Sequence, residues 1–258
     1  MKEITPLKHA RFVGRQFLHL ESVDSTNSFC LADPDIMSRP GLVVYADRQL
    51  SGRGRMGRHW SQGRGGHLFA SFVIHPVLPA DLVASITLCA GLAVYQALSD
   101  IDCNCLSLKW PNDVLINGRK VCGILCESRI FSEKITVVAG VGVNISGDIC
   151  QFPAELKHVV TTLEANGIRV DRDSLLEGVT RWFDSMLVEL HSVSGRTGLF
   201  RQWEQVSSSL GRMVRFRQGG REKAGTVYGL DELGRLVVRD ADGRLITVVS
   251  GEVEYVHH

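Results

Sequence analysis

Arginines and glycines are concentrated between Gln49 and Gly66, in the stretch QLSGRGRMGRHWSQGRGG. This arginine loop (residues 49–66) holds six glycines and four arginines between two apolar, β-prone segments. Glycine reaches backbone conformations that a Cβ forbids, so the stretch predicts a loop that bends closely around a ligand. Guanidinium groups this close repel one another unless a polyanion such as a nucleotide phosphate neutralises them. A solvated basic loop is the alternative, and the density of glycines disfavours it.

Two common phosphate-binding loops do not fit this stretch. Gly52, Gly54 and Gly57 match G-x-G-x-x-G, yet the dinucleotide fingerprint needs a helix that begins at the third glycine. The residues that follow, RHWSQGRGG, have no apolar period and contain three more glycines. A Walker loop needs Lys-Ser or Lys-Thr after its glycines, and neither follows here. We therefore expect arginine side chains on a mobile loop to hold the phosphate.

The composition limits the classes of protein to which the chain can belong. It has 258 residues, 44% of them hydrophobic, and a net charge of +1. This length supports one large core, or a core with a small second domain, and the charge gives no global field toward DNA or a membrane. Seven cysteines and the absence of an apolar leader in MKEITPLKHARF predict reduced thiols and a cytoplasmic location.

Two cysteine pairs raise the question of a zinc site. Cys103 and Cys105 lack the usual two-residue spacer, and Cys122 and Cys126 lie in the apolar run VCGILC. We expect these four cysteines to be buried small hydrophobes rather than metal ligands.

The elements that position the arginine loop follow from the apolar pattern. Strands are predicted at 17–23, 41–49, 67–75, 106–110 and 134–145, with a hairpin that turns at Asn117-Gly118. Helices are predicted at 28–37, 79–99, 173–190 and 197–207. The small alanines of 79–99 suit a helix packed on a sheet better than a membrane span.

The pattern changes after Gly211. Short strands joined by glycine-containing turns, RMVRFRQ, KAGTVYGL, LVVRD and RLITVVSGEVEYV, predict a small barrel. We therefore expect a larger domain at 1–209 and a second domain at 210–258.

Four motifs together resemble the biotin protein ligases. They are DSTN at 24–27, GRGRMGR at 52–58, KWPNDVLINGRKVCGILCE at 109–127 and GVGVN at 140–144. Each motif alone is weak, but their order along the chain is specific, and the resemblance covers essentially the whole length. It implies an α+β fold: a mixed β-sheet with packed helices, like class II synthetases and the biotin–lipoate ligase core, followed by an SH3-like barrel.

The resemblance also implies a two-step, ATP-dependent ligation. Biotin's carboxylate attacks the α-phosphorus of MgATP, and a lysine of a biotin carboxyl carrier domain then takes the biotinyl group from the adenylate. The carrier would belong to acetyl-CoA carboxylase or a related carboxylase. Two anions meet in the first step, so the site needs positive donors that offset their repulsion.

The same resemblance assigns roles to single residues. Lys120 matches the lysine that binds the biotin carboxylate and the α-phosphate, and Arg55 and Arg58 match arginines that bind phosphate and retain the adenylate. The contacts to the biotin ureido ring match Ser25, Thr26, Asn27, Gln49 and the backbone of Gly52 and Arg53, with Asn27 the least direct.

The remaining roles concern the nucleotide. Trp60 matches the aromatic residue that stacks on adenine, and Asn144 matches a contact to the adenine edge. Lys109, Asn112 and Asp113 match the segment beside the phosphates and Mg²⁺, where Asp113 either binds the metal or takes a proton from the incoming lysine.

One residue departs from the family pattern, and two rival functions remain. Met56 stands where the family commonly has a third loop arginine, so loop ordering or adenylate retention can differ. A lipoate ligase shares the core, but the arginine loop and KWPND are characteristic of the biotin branch. A biotin-responsive repressor needs roughly 50–60 further residues for a DNA-binding domain, and 23 precede Asp24. We therefore expect no sequence-specific DNA binding, while a homodimer is left open.

Overall fold

A seven-stranded mixed β-sheet forms the centre of the larger domain. The computed structural model describes residues 4–60, 65–131, 134–248, 251 and 253–256. The strands are β1 (Gln16–Val23), β2 (Leu42–Gln49), β3 (His67–Ile74), β4 (Leu106–Lys109), β5 (Asp113–Ile116), β6 (Arg119–Phe131) and β7 (Lys134–Asn144). They are hydrogen-bonded in the order β1-β2-β3-β7-β6-β5-β4. The β1–β2 pair is parallel and the others are antiparallel, which confirms the predicted mixed sheet.

Helices cover both faces of this sheet. They are α1 (Thr26–Ala32), α2 (Pro34–Met37), α3 (Ile86–Ser99), α4 (Arg172–Leu190) and α5 (Val193–Gln205). The single helix predicted at 28–37 is in fact two. Asp33 has an extended backbone and its side chain accepts a hydrogen bond from the Asp35 amide, and Pro34 then begins the second helix.

The two faces bury different residues because side chains alternate along each strand. Val43 and Phe72 point to one face, where α3 and α4 complete the main core. Val44 and Val73 point to the other, where they pack with residues of α1 and α2. The short helices α1 and α2 cover only part of that second face.

Helix α3 and the turn before it contain the most apolar segment of the chain. Ala80–Ser99 is long and apolar enough to cross a membrane, with a mean hydropathy of 1.7. In the fold, however, 67% of that window is buried. The segment therefore packs as the core helix that its alanines predict.

The C-terminal region is a five-stranded antiparallel sheet. Its strands are β8 (Met213–Gln218), β9 (Arg221–Leu230), β10 (Leu236–Arg239), β11 (Leu245–Val248) and β12 (Glu254–Tyr255). The hydrogen-bonded order is β11-β10-β9-β8-β12, so the described strands form an open series rather than a closed barrel. Gln218 Nε2 donates to the Thr247 carbonyl at 3.2 Å, which links β8 to β11 across the sheet. The predicted domain boundary at 209/210 stays a prediction.

Asp184 on α4 attaches the N-terminal segment to the core. Its Oδ1 accepts hydrogen bonds from the backbone amides of Phe12 at 2.6 Å and Val13 at 2.9 Å. Both carboxylate oxygens also lie 3.0 Å from the Arg11 amide. One carboxylate therefore satisfies three backbone donors that no helix or strand would satisfy.

We expect Asp184→Ala to lower the free energy of unfolding by about 3 kcal/mol, because buried amides lose a charged acceptor. Urea unfolding monitored by circular dichroism measures this change. Asp242→Ala is the control, since Asp242 is exposed and its carboxylate lies 4.0 Å from Arg244. Equal stability of the two variants would show that Asp184 does not hold the N-terminal segment.

Candidate functional site

A cavity of about 300 Å³ lies on the face of the sheet that α1 and α2 leave partly open. It brings together every predicted site residue except Gly52. The predicted residues that line it are Ser25, Thr26, Asn27, Gln49, Arg53, Arg55, Arg58, Trp60, Lys109, Asn112, Asp113, Lys120 and Asn144. Gly52 stands beside the cavity, and its carbonyl accepts a hydrogen bond from the Trp60 amide at 2.9 Å.

The start of α1 holds neutral polar groups at one end of the cavity. Ser25 is the N-cap of the helix, and its hydroxyl accepts from the Ser28 amide. The amide and hydroxyl of Thr26 both donate to Gln49 Oε1, at 2.8 and 3.1 Å. The motif DSTN is thus a helix cap and a part of the cavity at once, and Thr26 fixes the orientation of the Gln49 carboxamide.

Asn27 is held mainly by the protein itself. Its Nδ2 donates to the Leu125 carbonyl and to Glu127 Oε2, each at 3.0 Å. Its Oδ1 accepts from Ser71 Oγ at 2.6 Å. A Cβ at Gly140 would lie 2.4 Å from that oxygen, so the close approach requires glycine. Both hydrogens of the Asn27 amide are used in hydrogen bonds within the protein. This supports a role in which Asn27 orients its neighbours and does not itself donate to the ligand.

The first part of the arginine loop is a tight hairpin, the arginine hairpin (residues 52–60). Arg53 and His59 form an antiparallel bridge, and the Gly54 amide donates to the Arg58 carbonyl at 2.7 Å. The chain turns at Arg55–Gly57, where Met56 has a left-handed φ of 54° and is 76% exposed. After Gly57 the chain is extended, so the dinucleotide fingerprint is excluded here, as predicted. Residues 61–64 lie outside the described residues, and the expected mobility of the loop stays a prediction.

Trp60 packs directly on glycines of the sheet. A Cβ at Gly123 would lie 2.5 Å from the indole, and one at Gly142 would lie 3.0 Å from it. The indole Nε1 is buried and has no hydrogen-bond partner among the described residues. The ammonium of Lys120 lies 5.4 Å from the centroid of the ring. The Trp60 ring and the Lys120 ammonium therefore lie close together over the glycine backbone of the sheet.

A β-bulge in β6 turns Lys120 toward the cavity. Val114 pairs with Cys122 and Leu115 pairs with Lys120, so Val121 is an extra residue on β6. Without the bulge, alternation would place Lys120 on the face opposite Gly123 and Leu125. With it, Lys120 Nζ forms an ion pair with Asp113 Oδ1 at 2.5 Å.

Arg55 joins the arginine hairpin to the C-terminal segment. Its guanidinium donates to Asn112 Oδ1 at 3.3 Å and to the carbonyl of Gly251 at 3.0 Å. Asn112 is held in turn, since its Nδ2 donates to the Ile124 carbonyl at 2.9 Å. On the same side, Lys109 Nζ lies 4.8 Å from the ring centroid of Tyr255.

One wall of the cavity has no signal in the sequence. Leu156, Val159 and Val160 line the cavity beside Lys120. The Lys120 amide donates to the Val159 carbonyl at 2.7 Å, and the Thr161 amide donates to the Lys120 carbonyl at 2.8 Å. This segment, AELKHVVTT, contains no recognisable motif, and only its pairing beside Lys120 reveals it.

Asn144 presents an acceptor from the end of β7. Its Nδ2 donates to the Thr161 carbonyl at 3.2 Å. Among the described residues, its buried Oδ1 has no hydrogen-bond partner, and Asn144 lines the cavity. The bond to Thr161 orients the amide, and Oδ1 is then an unused acceptor.

The cysteines are separate from this chemistry. All seven are free thiols, and burial raises the pKa of Cys103 and of Cys126 to about 11. Cys103 and Cys122 are buried as predicted, but the prediction is wrong for Cys105, which lies exposed in a turn with a φ of 59°. Across the described part of the chain, no group of three or more His, Cys, Asp or Glu residues could hold a metal ion.

Comparison with known families supports this picture over most of the chain. Residues 20–144 match the biotin/lipoate A/B protein ligase family. Residues 209–255 match the biotin protein ligase C terminal domain. The first match includes all the predicted site residues, and the second covers the antiparallel sheet of the C-terminal region.

Individual relatives match along nearly their full length. The chain is 33% identical to a biotin--[acetyl-CoA-carboxylase] ligase of Paracoccus denitrificans, over 88% of this chain and 95% of that one. It is 30% identical to the enzyme of the same name from Mycobacterium tuberculosis, over 94% and 91% of the two chains. The solved structure of the Aquifex aeolicus biotin protein ligase in complex with biotin and ATP superposes with a TM-score of 0.79 at 29% identity, covering 95% of this chain and 100% of that one. The chain therefore belongs to the biotin protein ligase family.

Proposed function

We propose that the protein is a ligase that activates biotin with ATP and transfers it to a lysine of a biotin carboxyl carrier domain. The observation that carries the proposal is the cavity itself, in which Lys120 and Asp113 form an ion pair beside Trp60 and the arginine hairpin. Relatives that match nearly the whole chain are named biotin--[acetyl-CoA-carboxylase] ligases. The match of residues 209–255 to a biotin protein ligase domain favours biotin over lipoate as the substrate.

The neutral end of the cavity suits the uncharged ring of biotin. Ser25, Thr26 and Gln49 offer hydroxyl and amide groups there, and no described acidic residue other than Asp113 lines the cavity. A ureido ring needs neutral donors and acceptors in an otherwise apolar pocket. The valeryl chain of biotin would then run from these groups toward Lys120.

Lys120 and the arginines would carry the first step. The biotin carboxylate attacks the α-phosphorus of ATP, the bond from that phosphorus to the bridging oxygen breaks, and pyrophosphate leaves. Lys120 exchanges the Asp113 carboxylate for the biotin carboxylate and the α-phosphate oxygens, which offsets the repulsion between the two anions. Arg55 and Arg58 reach the phosphates from the hairpin, and Lys109 and Asn112 approach them from β4 and the turn before β5.

The adenine base would be bound by Trp60 and Asn144. The indole offers a flat surface for stacking, and Asn144 Oδ1 is a buried acceptor with no partner in the part of the chain that the structure describes. An acceptor at this point suits the exocyclic amino group of adenine and opposes the carbonyl of guanine.

Asp113 would serve the second step once Lys120 has left it. The amine of the carrier lysine attacks the acyl carbon of the adenylate, an amide forms, and AMP leaves with the bonding electrons. Asp113 can accept the proton that this amine loses. The same carboxylate fits Mg²⁺, which is commonly held by one or two carboxylates together with substrate phosphates and water. Mg²⁺ would neutralise phosphate charge when it is bound.

The partners follow from this reaction. We propose biotin, ATP and a carrier domain of acetyl-CoA carboxylase or a related carboxylase, without sequence-specific DNA binding, in line with the net charge of +1. Seven free thiols suit the reducing cytoplasm. Both a monomer and a homodimer are compatible with this reaction.

The function is tested by incubating the protein with labelled biotin, MgATP and an acceptor carrier domain. Label should join the carrier lysine only when ATP is present. A carrier in which that lysine is replaced by arginine is the control. If the wild-type protein transfers no label and forms no biotinyl-adenylate, the proposed function is wrong.

We expect Lys120→Ala to slow adenylate formation on the order of 10²-fold or more, because a charged donor to the reacting oxygens is lost. Single-turnover measurement of biotinyl-adenylate gives the rate. Lys223→Ala replaces a half-buried lysine of β9 and is the matched control. Adenylate that forms at the wild-type rate in folded Lys120→Ala would remove Lys120 from the reaction.

We expect Arg55→Ala to release adenylate into solution faster, by about tenfold, and to slow its synthesis less than that. The guanidinium joins the hairpin to Asn112 and Gly251, so its loss opens the cavity on that side. Indiscriminate biotinylation of lysines on an added bystander protein measures the release. Arg244→Ala, at an exposed arginine far along the chain, should retain adenylate as the wild type does.

We expect Asn144→Ala to narrow the preference for ATP over GTP by about tenfold, mainly by raising the KM for ATP. The physical reason is the loss of the acceptor that recognises the adenine amino group. Pyrophosphate release with each nucleotide gives the ratio, and Asn104→Ala removes an exposed carboxamide as the control. An unchanged ratio would mean that Asn144 does not read the base.

A further inference from the structure

Glu127 on β6 stands outside the cavity lining but contacts two residues that belong to it. Its Oε1 accepts from Arg53 Nη2 at 2.6 Å. Its Oε2 accepts from Asn27 Nδ2 at 3.0 Å. The reaction steps described above make no use of Glu127, although its carboxylate joins a loop residue to a helix residue.

The Arg53 contact fixes more than one side chain. Arg53 pairs with His59 across the stem of the arginine hairpin, and the neighbouring Gly52 and Trp60 are hydrogen-bonded to each other. Arg53 also donates from Nη1 to Ser28 Oγ at 3.1 Å. Holding Arg53 therefore holds the opposite strand of the hairpin, together with the Trp60 indole at its end.

The Asn27 contact reaches the other end of the cavity. With its Nδ2 turned to Glu127, Asn27 presents Oδ1 to Ser71 Oγ at 2.6 Å. The single hydroxyl hydrogen of Ser71 is shared between Asn27 Oδ1 and Thr26 Oγ1, which lies 2.7 Å away, and Thr26 donates to Gln49 Oε1. The orientation of the Asn27 amide is thus connected, through two hydroxyls, to the Gln49 carboxamide.

These contacts act locally rather than on the stability of the whole fold. The Arg53 side chain is 44% exposed and that of Glu127 is 24% exposed, and ion pairs at such exposure contribute little to global stability. Asn27 keeps its bond to the Leu125 carbonyl when Glu127 is removed. What changes is the freedom of the hairpin and of the Asn27 amide relative to the sheet.

We propose that Glu127 is a positioning residue that couples the arginine hairpin to the biotin-binding end of the cavity. One carboxylate oxygen holds the hairpin through Arg53, and the other, together with the Leu125 carbonyl, holds the Asn27 amide and the hydrogen bonds that run from it to Ser71, Thr26 and Gln49. The hairpin is thus held in register with the groups that receive the biotin ring. The inference rests on the proposed function, because it assigns biotin to that end of the cavity.

The first test compares Glu127→Ala with Asp242→Ala, which removes an exposed carboxylate of the C-terminal sheet. In Glu127→Ala we expect the KM for biotin and the rate of adenylate release each to rise about tenfold, with kcat at saturating biotin within about threefold of wild type. Glu127→Gln keeps an oxygen for only one of the two donors, so it should lie between alanine and wild type. Hydrogen exchange over residues 52–60 should be faster in Glu127→Ala while the melting temperature is unchanged.

A double-mutant cycle with Arg53→Ala separates the two contacts. Adenylate release should be no faster in the double variant than in either single variant, because both remove the same connection to the hairpin. The KM for biotin should still rise when Glu127→Ala is added to Arg53→Ala, because Asn27 loses its acceptor only then. Additive effects on release, or a folded Glu127→Ala with wild-type KM and exchange, would overturn the proposal. A wild-type protein that forms no adenylate would refute the proposed function instead, and the exchange measurement would still decide the Glu127–hairpin contact.

Discussion

The site depends on a patch of sheet that carries no side chains. Gly123 and Gly142 are register partners on β6 and β7, so two bare positions lie directly opposite each other. Gly140 extends the patch by two residues along β7. Every group above it, the Trp60 indole and the Asn27 amide included, lies closer to the backbone than any side chain would allow. Helix α3 packs on the opposite face of the same two strands, and α4 packs against α3.

Three of the positively charged side chains above this floor have hydrogen-bonding or ionic partners before any substrate arrives. Lys120 is paired with Asp113, Arg53 with Glu127, and Arg55 with two neutral acceptors. Cations gathered without partners would repel one another and would be costly to desolvate. Anionic substrates can therefore enter by exchange, replacing one acceptor with another. Lys120 and Arg53 are thereby compensated by carboxylates in the empty cavity.

Much of the fold and of the site was predictable, because local patterns determine both. Alternation marked the strands, Asn117-Gly118 marked the hairpin, and the four motifs named residues that the fold brings into one cavity. The split between α1 and α2 was missed because a short apolar pattern continues through Asp33 and Pro34. The 156–161 wall could not be found in this way, and neither could the contacts of Glu127, although Glu127 itself ends the motif at 109–127. Their importance comes from pairing between strands and segments far apart in sequence, which no local spacing records.

The bulge at Val121 shows that the type of a residue in β6 and its place in the residue count have different effects on the structure. The side chain of Val121 only fills the core, where another apolar residue of similar volume would serve. However, because Val121 adds one residue to the strand, it decides on which face of the sheet the Lys120 side chain lies. The number of residues between Lys120 and Gly123 is therefore constrained more strictly than their identity. In this part of β6, the number of residues matters more to the site than the chemical type of the side chain at position 121.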